Sequence, residues 1–373
     1  MKGSTKIGAN NNIAFLSLLG QLTCLLVCLS IFTLFTSPLA KSTDSVHWNI
    51  DSNSAASINI KDAWKSFSKT KDVIIAVVDT GIDFSHPHLQ QNILKEKDAK
   101  DTDDKKALTM DFSYNATNLH LPNDDHGHGT HVSGIIKSVN PDIKILPLKY
   151  YNPIASGVEN LKSTIKALRH AILSNVDIIN YSGGGPEPSD EELQVLKLAE
   201  KKGILVVVAA GNEHSNIDNK SMAYYPASYN LNNIITVAAH DEEQEILPSS
   251  NWGPKTVDIF APGNNIRSSI PHGRAGYMTG TSQSTAFVSG VASLIKSQYP
   301  FLLAPEIKKI IINNAKKIKR LSGKCSSGGI LDAANTLLKA SQYTSGAVKI
   351  ATAAISSEHK IEHKILNEIK SKK

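Results

Sequence analysis

A chain of 373 residues with 41% hydrophobic and 20% charged residues has the composition of an ordinary soluble globular protein, long enough for one large α/β domain or two small ones. The formal net charge of +6 does not point to nucleic acid, because much of the excess sits in Lys360, Lys364, Lys370, Lys372 and Lys373 and no basic motif with interleaved aromatics accompanies it. Of the three cysteines, Cys24 and Cys28 lie in an amino-terminal apolar run, which leaves Cys325 alone and excludes an intramolecular disulfide framework.

The first element in chain order is that apolar run, Ile13 to Phe35, preceded by Lys2 and Lys6 and followed by Ser37-Pro38-Leu39-Ala40. It reads as an export signal cleaved near Ala40, with residues 1–40 as the leader. The run is also long enough to span a bilayer, so an uncleaved anchor is the alternative. Either outcome places the rest of the chain outside the cytoplasm. Residues 41–57 form a short connecting segment, and Ile58-Asn59-Ile60-Lys61-Asp62-Ala63-Trp64 suggests where a folded domain spanning 58–340 begins.

From Val73 onward, β-branched runs alternate with helical patterns, which predicts a mostly parallel twisted sheet with helices on both faces in a single α/β domain. Strands are expected at Val73–Val78, Ile143–Tyr150, Val176–Tyr181, Ile204–Ala209 and Ile234–Ala238. Helices are expected near His131–Lys137, Val158–Leu173, Asp190–Lys202, Gln283–Gln298 and Ala304–Asn314. Residues 92–123 read as a solvated surface insertion, densest in charge from Lys95 to Lys106. Residues 341–373 read as a lysine-rich, loosely docked helical tail.

Three segments carry the chemistry, and they fall at strand ends or helix starts. The first is Val77-Val78-Asp79-Thr80-Gly81-Ile82-Asp83, an apolar strand that ends in a carboxylate and turns on glycine. The second is His126-Gly127-His128-Gly129-Thr130-His131-Val132-Ser133-Gly134, and the third is Gly280-Thr281-Ser282 followed by Gln283-Ser284-Thr285-Ala286. Carboxylate, imidazole and hydroxyl in the order Asp, His, Ser resemble the subtilisin-like serine proteases, over a stretch from about Trp48 to Ala340. A zinc site through His126, His128 and His131 is the rival, but the spacing is not that of a His-Glu-x-x-His helix and no acid stands in the general-base position.

The resemblance implies an exported serine endopeptidase in which Ser282 is the nucleophile, His128 its base and Asp79 the group that orients His128. It implies that the Asn212 side chain, in Val208-Ala209-Ala210-Gly211-Asn212-Glu213, binds the oxyanion together with the Ser282 N–H. It makes Ser182-Gly183-Gly184 the edge that pairs with an extended substrate, and it leaves His131 as packed structure and His126 without a role. Gly183 stands where many members carry a larger apolar residue, and Ala286 stands where a proline is usual. Tyr224 falls at the floor of the primary specificity pocket, where broad-specificity members often have glycine, which predicts a shallow pocket.

The short link Lys137-Ser138-Val139-Asn140 leaves no room for the calcium loop of secreted bacterial members, so no metal ligand is assigned. No cofactor is expected. About fifteen to twenty residues between Ala40 and the domain leave no space for a folded propeptide. The expected partners are peptide or protein substrates, with a membrane tether through residues 13–35 in the anchored form and a monomer in either. Two other readings follow from the same residues. One is a membrane-tethered processing protease of narrow specificity, and the other is a catalytically silent relative that binds peptides in the cleft.

Overall fold

Short runs such as Ile74–Asp79 and Leu205–Ala209 are buried along their whole length, the mark of strands covered on both faces. In the computed structural model, which describes residues 48–94 and 109–343, these runs form the middle of a nine-stranded sheet. The elements in chain order are α1 (Ile60–Ser66), β1 (Ile74–Asp79), β2 (Met110–Asp111), α2 (His128–Val139), β3 (Lys144–Lys149) and α3 (Gly157–Leu173). After them come β4 (Ile178–Tyr181), α4 (Asp190–Lys201), β5 (Leu205–Ala209), β6 (Ile234–His240), β7 (Ile259–Pro262), β8 (Ile266–Ile270) and β9 (Arg274–Met278). The last are α5 (Thr281–Gln298), α6 (Ala304–Asn313), β10 (Lys316–Lys317) and β11 (Gly329–Ile330), followed by helical residues 333–343.

The strand order is β10-β11-β7-β6-β5-β4-β1-β3-β2, and every pair is parallel except β10 with β11. Side chains alternate across the sheet. Ile75 and Val77 join α1, α2, α5 and α6 in one apolar layer, whereas Ile74, Ala76 and Val78 join α3 and α4 in the other. This three-layer α/β architecture is the one the alternating pattern predicted. The chain leaves β1 toward β3 and then returns to β4 on the other side of β1, so the order reverses at the β1/β4 junction. The crevice at the carboxyl ends of those two strands is where open α/β sheets bind ligands.

The observed elements differ from the expected ones at several points. Helix α2 begins at His128, three residues earlier than expected, because Gly127 takes a left-handed N-cap conformation (φ 96°) from which the helix can start at once. Strand β7, the β8–β9 hairpin and the short β2, β10 and β11 were not foreseen. β7 is four residues long and ends in proline, and β8 and β9 alternate too weakly in burial to stand out in sequence. The supposed solvated insertion is not solvated where it begins. Asn92 is buried, its amide donates to the carbonyls of Pro141 and Ile143 at 2.8 Å, and Leu94 N–H bonds Ile145 O at 2.8 Å. The charge-dense residues 95–108, the tail from residue 344 and the apolar run 13–35 lie outside the described residues.

Helix α5 is buried on all sides, from Thr281 through Ile295. Such a helix must be built from small side chains where it meets other elements. Ser284, Ala286, Ser289, Gly290, Ala292 and Ser293 serve that need. At Gly290 a Cβ would lie 2.6 Å from Val139 Cβ of α2, so the two helices that carry His128 and Ser282 touch through the absence of a side chain.

Candidate active site

Asp79 ends β1 and is 3% exposed. Its Oδ1 accepts the Thr80 N–H at 2.8 Å and lies 2.7 Å from His128 Nδ1, the first residue of α2. Nδ1 therefore carries the proton and donates to the carboxylate, which leaves Nε2 as the ring's basic nitrogen. Burial by itself lowers the His128 pKa, but the Asp79 charge and hydrogen bond, helped by the Asp124 charge, outweigh it and hold the value above the ordinary 6.5.

Asp124 is a site residue that sequence reasoning missed. It is 5% exposed and its two oxygens accept five hydrogen bonds. Oδ1 takes the Thr80 hydroxyl at 2.8 Å and the N–H groups of His126 and Gly127 at 3.1 and 2.7 Å. Oδ2 takes the Thr130 N–H and hydroxyl at 2.8 and 2.6 Å. Although burial opposes ionisation, these donors hold the carboxyl below its usual range. The charged group thus clamps the turn that delivers His128 to the end of β1. The only signal in sequence was an acid four residues before the histidine, in a polar loop where acids are unremarkable.

Ser282 is the second residue of α5 and is 7% exposed. The register Val78↔Tyr181 puts Asp79 and Ser182 on the next rung of neighbouring strands, a spacing of about 4.8 Å. Ser282 lies against that rung. Its hydroxyl donates to Ser182 O at 2.9 Å, not to the imidazole as expected, and Ser182 Oγ donates back to Ser282 O at 3.2 Å. The Ser282 hydroxyl can turn about a single side-chain bond, and catalytic hydrogen bonds commonly tighten only when substrate is bound. Behind it runs a buried polar chain. Ser289 Oγ donates to Asn180 Oδ1 at 2.8 Å, and Asn180 Nδ2 donates to Ser182 Oγ at 3.0 Å, tying α5 to the end of β4.

Asn212 follows β5 and Gly211, whose φ of 96° and lack of space for a Cβ (2.5 Å from Asn251 Nδ2) both require glycine. The Asn212 Oδ1 accepts the Thr281 N–H at 3.0 Å and the Thr281 hydroxyl at 3.2 Å. With its oxygen occupied, the amide presents Nδ2 as a free donor beside the start of α5. The Ser282 N–H lies in that same first helical turn, where main-chain donors are unpaired and the helix dipole is positive.

Ser182-Gly183-Gly184 leaves β4 as an edge. Among the described residues Gly183 and Gly184 make no main-chain hydrogen bonds, and Gly185 pairs with Tyr225 through bonds of 2.9 and 2.7 Å. Side chains explain the glycines. A Cβ on Gly183 would lie 2.2 Å from the Tyr150 hydroxyl, and one on Gly184 would lie 2.5 Å from the Tyr224 ring. The Tyr224 ring also reaches within 3.0 Å of a Cβ position on Gly211, so it stands between the two glycine segments that flank Ser282 and Asn212. Its phenol is held well above its usual pKa by burial and by the Glu213 charge.

The three neighbouring histidines point in different directions. His131 is fully buried, bonds Ile266 O through Nε2 at 2.9 Å, and is pushed by burial down to about 4, so it is neutral. His126 is exposed, its ring 6.3 Å from that of His128 and 5.7 Å from that of Tyr151. Among the described residues no three His, Cys, Asp or Glu side chains gather as a metal would need. The acidic residues Asp98, Asp101, Asp103 and Asp104 lie outside those residues.

Comparison with known proteins adds family evidence to this geometry. The profile of the subtilase family (peptidase S8) matches residues 70–339. The chain is 35% identical over 249 residues to the "Major intracellular serine protease" of Bacillus subtilis (strain 168), covering 64% of this chain and 73% of that protein. It is 34% identical over 238 residues to the "Intracellular serine protease" of Paenibacillus polymyxa, covering 61% and 68%. It is 35% identical over 239 residues to "Subtilisin amylosacchariticus" of Bacillus subtilis subsp. amylosacchariticus, covering 61% of this chain and 56% of that protein.

Proposed function

Since the chain belongs to the subtilase family and is a serine endopeptidase, we propose that Asp79, His128 and Ser282 are its triad and that Asn212 and the Ser282 N–H form its oxyanion hole. The observation that carries this reading is the 2.7 Å bond from His128 Nδ1 to Asp79, at the same crevice as Ser282. With Nδ1 committed to the carboxylate, Nε2 is the base. It takes the Ser282 proton as Oγ attacks the scissile carbonyl, and the new oxyanion is met by Asn212 Nδ2 and the Ser282 N–H. The imidazolium, stabilised by Asp79, then gives that proton to the leaving amine. Water, deprotonated by the same nitrogen, opens the acyl-enzyme and regenerates Ser282.

The substrate is an extended peptide that adds a strand to Ser182-Gly183-Gly184, where Gly183 and Gly184 have main-chain groups unbonded among the described residues and the glycines admit close approach. No nucleic acid, metal or cofactor takes part, and the unit acts as a monomer. A silent peptide-binding relative is disfavoured because a complete Asp, His, Ser and Asn set is present.

The test is a set of single substitutions assayed on a casein-derived peptide mixture. Ser282→Ala and His128→Ala should each lower kcat by about 10⁶, and together no further, the scale on which the subtilisin triad fails. Asn212→Ala should lower kcat by about 10² to 10³ with KM nearly unchanged. Substantial turnover by Ser282→Ala, with contaminating protease excluded, would end the assignment.

For location we propose export through residues 13–35, cleaved near Ala40, on the strength of the basic residues before the run and the small residue after it. Retention of the run as an anchor gives the membrane-tethered processing protease. Among the described residues no helix is long and apolar enough to cross a membrane. Two relatives are named as intracellular proteases, which favours a second reading, a protease that stays in the cell. Amino-terminal sequencing of the protein from separated culture medium, membranes and cytosol distinguishes the three.

A further inference from the structure

The loop that leaves β5 carries Asn212 but does not support itself. Gly211 and His214 both take left-handed conformations, with φ of 96° and 53°, and residues 210–215 form neither helix nor strand, so their main-chain groups need partners elsewhere. One side chain from a distant segment supplies them. Asn251, 1% exposed, lies in the connection between β6 and β7. Its Nδ2 donates to Ala210 O at 2.9 Å and to Glu213 Oε2 at 2.6 Å. Its Oδ1 accepts the N–H groups of Glu213 and Ser215 at 3.1 and 2.9 Å, and its own N–H donates to Gly211 O at 3.0 Å. These bonds bracket Asn212, falling on the two residues before it and on two of the three after it.

Asn251 is itself fixed to the sheet. The buried Ser250 hydroxyl accepts the Ala239 N–H of β6 at 3.0 Å. On either side the two segments pair through their main chains, His214 N–H to Ser249 O, Trp252 N–H to Ser215 O and Ile217 N–H to Trp252 O, each at 2.9 Å. The Asn212 side chain is thus set from two directions. Its main chain is held through Asn251, and its amide plane is turned by the Thr281 N–H and hydroxyl that bond Oδ1 at 3.0 and 3.2 Å.

We propose that Asn251 is a positioning residue for the oxyanion hole, touching no reacting atom and acting on the transition state through Asn212. The inference rests on the oxyanion role proposed for Asn212. Without the Asn251 amide, Ala210 O and the N–H groups of Glu213 and Ser215 lose their partners, and the loop must rearrange to satisfy them. A donor aimed at a developing charge tolerates little movement, and a misplacement of about 1 Å can cost about 10² in rate. None of the bonds made by Asn251 reaches Ser182-Gly183-Gly184, so substrate binding along that edge should persist.

A double-mutant cycle of Asn251→Ala with Asn212→Ala tests the proposal, with kcat and KM measured on one peptide substrate and folding followed by denaturation midpoints. Asn251→Ala should lower kcat at least about tenfold and change KM less than about twofold. In the Asn212→Ala background the same substitution should cost less than about twofold in kcat, because the donor that it aims is already gone. A residue that only held the fold together would reduce stability by the same amount in both backgrounds and leave no such difference in kcat. Asn251→Asp keeps the size and the accepted bonds while losing the two that Nδ2 donates, and it should show the same dependence on Asn212 in a less perturbed fold. Equal losses of kcat in both backgrounds, or an unchanged kcat in a folded Asn251 variant, would overturn the role of Asn251 and leave the oxyanion hole standing. Retention of kcat by Asn212→Ala alone would end the oxyanion-hole reading, and this inference with it.

Discussion

At the scale of single residues, the proposed function makes Tyr224 the side chain that decides what can be cut. A peptide bound along Ser182-Gly183-Gly184 with its carbonyl between Ser282 and Asn212 must send the preceding side chain toward the space between Gly184 and Gly211, and the Tyr224 ring stands there. Small side chains should therefore be preferred before the cut. Tyr224→Gly should raise kcat/KM for Phe relative to Ala by about 1–3 kcal/mol of transition-state discrimination, read from cleavage of matched peptides. A wild-type enzyme that already prefers Phe would refute this. The sequence exposed Tyr224 by its place in a motif, but it could not show Tyr150, whose hydroxyl occupies the room that a side chain at Gly183 would need. Nor could it show that Asp124 takes five hydrogen bonds. The Tyr150 contact joins segments far apart in the chain, whereas four of the five Asp124 bonds are local and depend on a turn geometry that a polar loop does not announce in sequence.

At the scale of elements, the critical contact is α2 against α5. Adding a methyl group at Gly290 would drive it into Val139 Cβ, an atom that no rotamer change can move away. Gly290→Ala should destabilise the fold by about 1–3 kcal/mol in denaturant titrations. It should also lower kcat more than KM, because the displaced helices begin with His128 and with Thr281-Ser282. Loss of stability with unchanged kcat would mean that the helix starts are held by their caps alone. The five strands and the long helices were legible because their runs are apolar and periodic. β7 and the β8–β9 hairpin were not, since a four-residue run and a half-exposed ribbon carry too few residues of one period to register.

At the scale of the whole molecule, three buried groups set opposing responses to pH. His131 and His240 are pushed by burial down to about 4 from an ordinary 6.5. Each contributes stability that is complete above 6.5 and is lost as pH falls through that value toward 4, roughly 3 kcal/mol apiece. Glu192, 1% exposed and with Oε1 unpartnered, is pushed by burial up to about 7 from 4.5. Its folded form prefers the proton, so its contribution is complete below 4.5 and is lost as pH rises through 7, again roughly 3 kcal/mol. Because two histidines outweigh one carboxyl where the windows overlap, stability of the Ser282→Ala protein should rise from about pH 4 to about pH 7 and then level off. Glu192→Gln should steepen the rise between about pH 5 and 6.5, read from denaturation midpoints. An unchanged slope in that variant would mean that Glu192 does not oppose the histidines.

The burial of α5 on every side has a consequence for the lifetime of the enzyme. Ser282 cannot shift far without opening the core through which its helix runs, so a molecule that has begun to unfold loses its activity as it becomes digestible. Self-destruction then needs two molecules, one intact and one open, and its rate should follow the product of their concentrations. Autolysis should be second order in protein and fastest near the thermal midpoint, where that product is greatest, and should slow again above it as intact molecules vanish. Dilution at fixed temperature should lengthen the half-life in proportion.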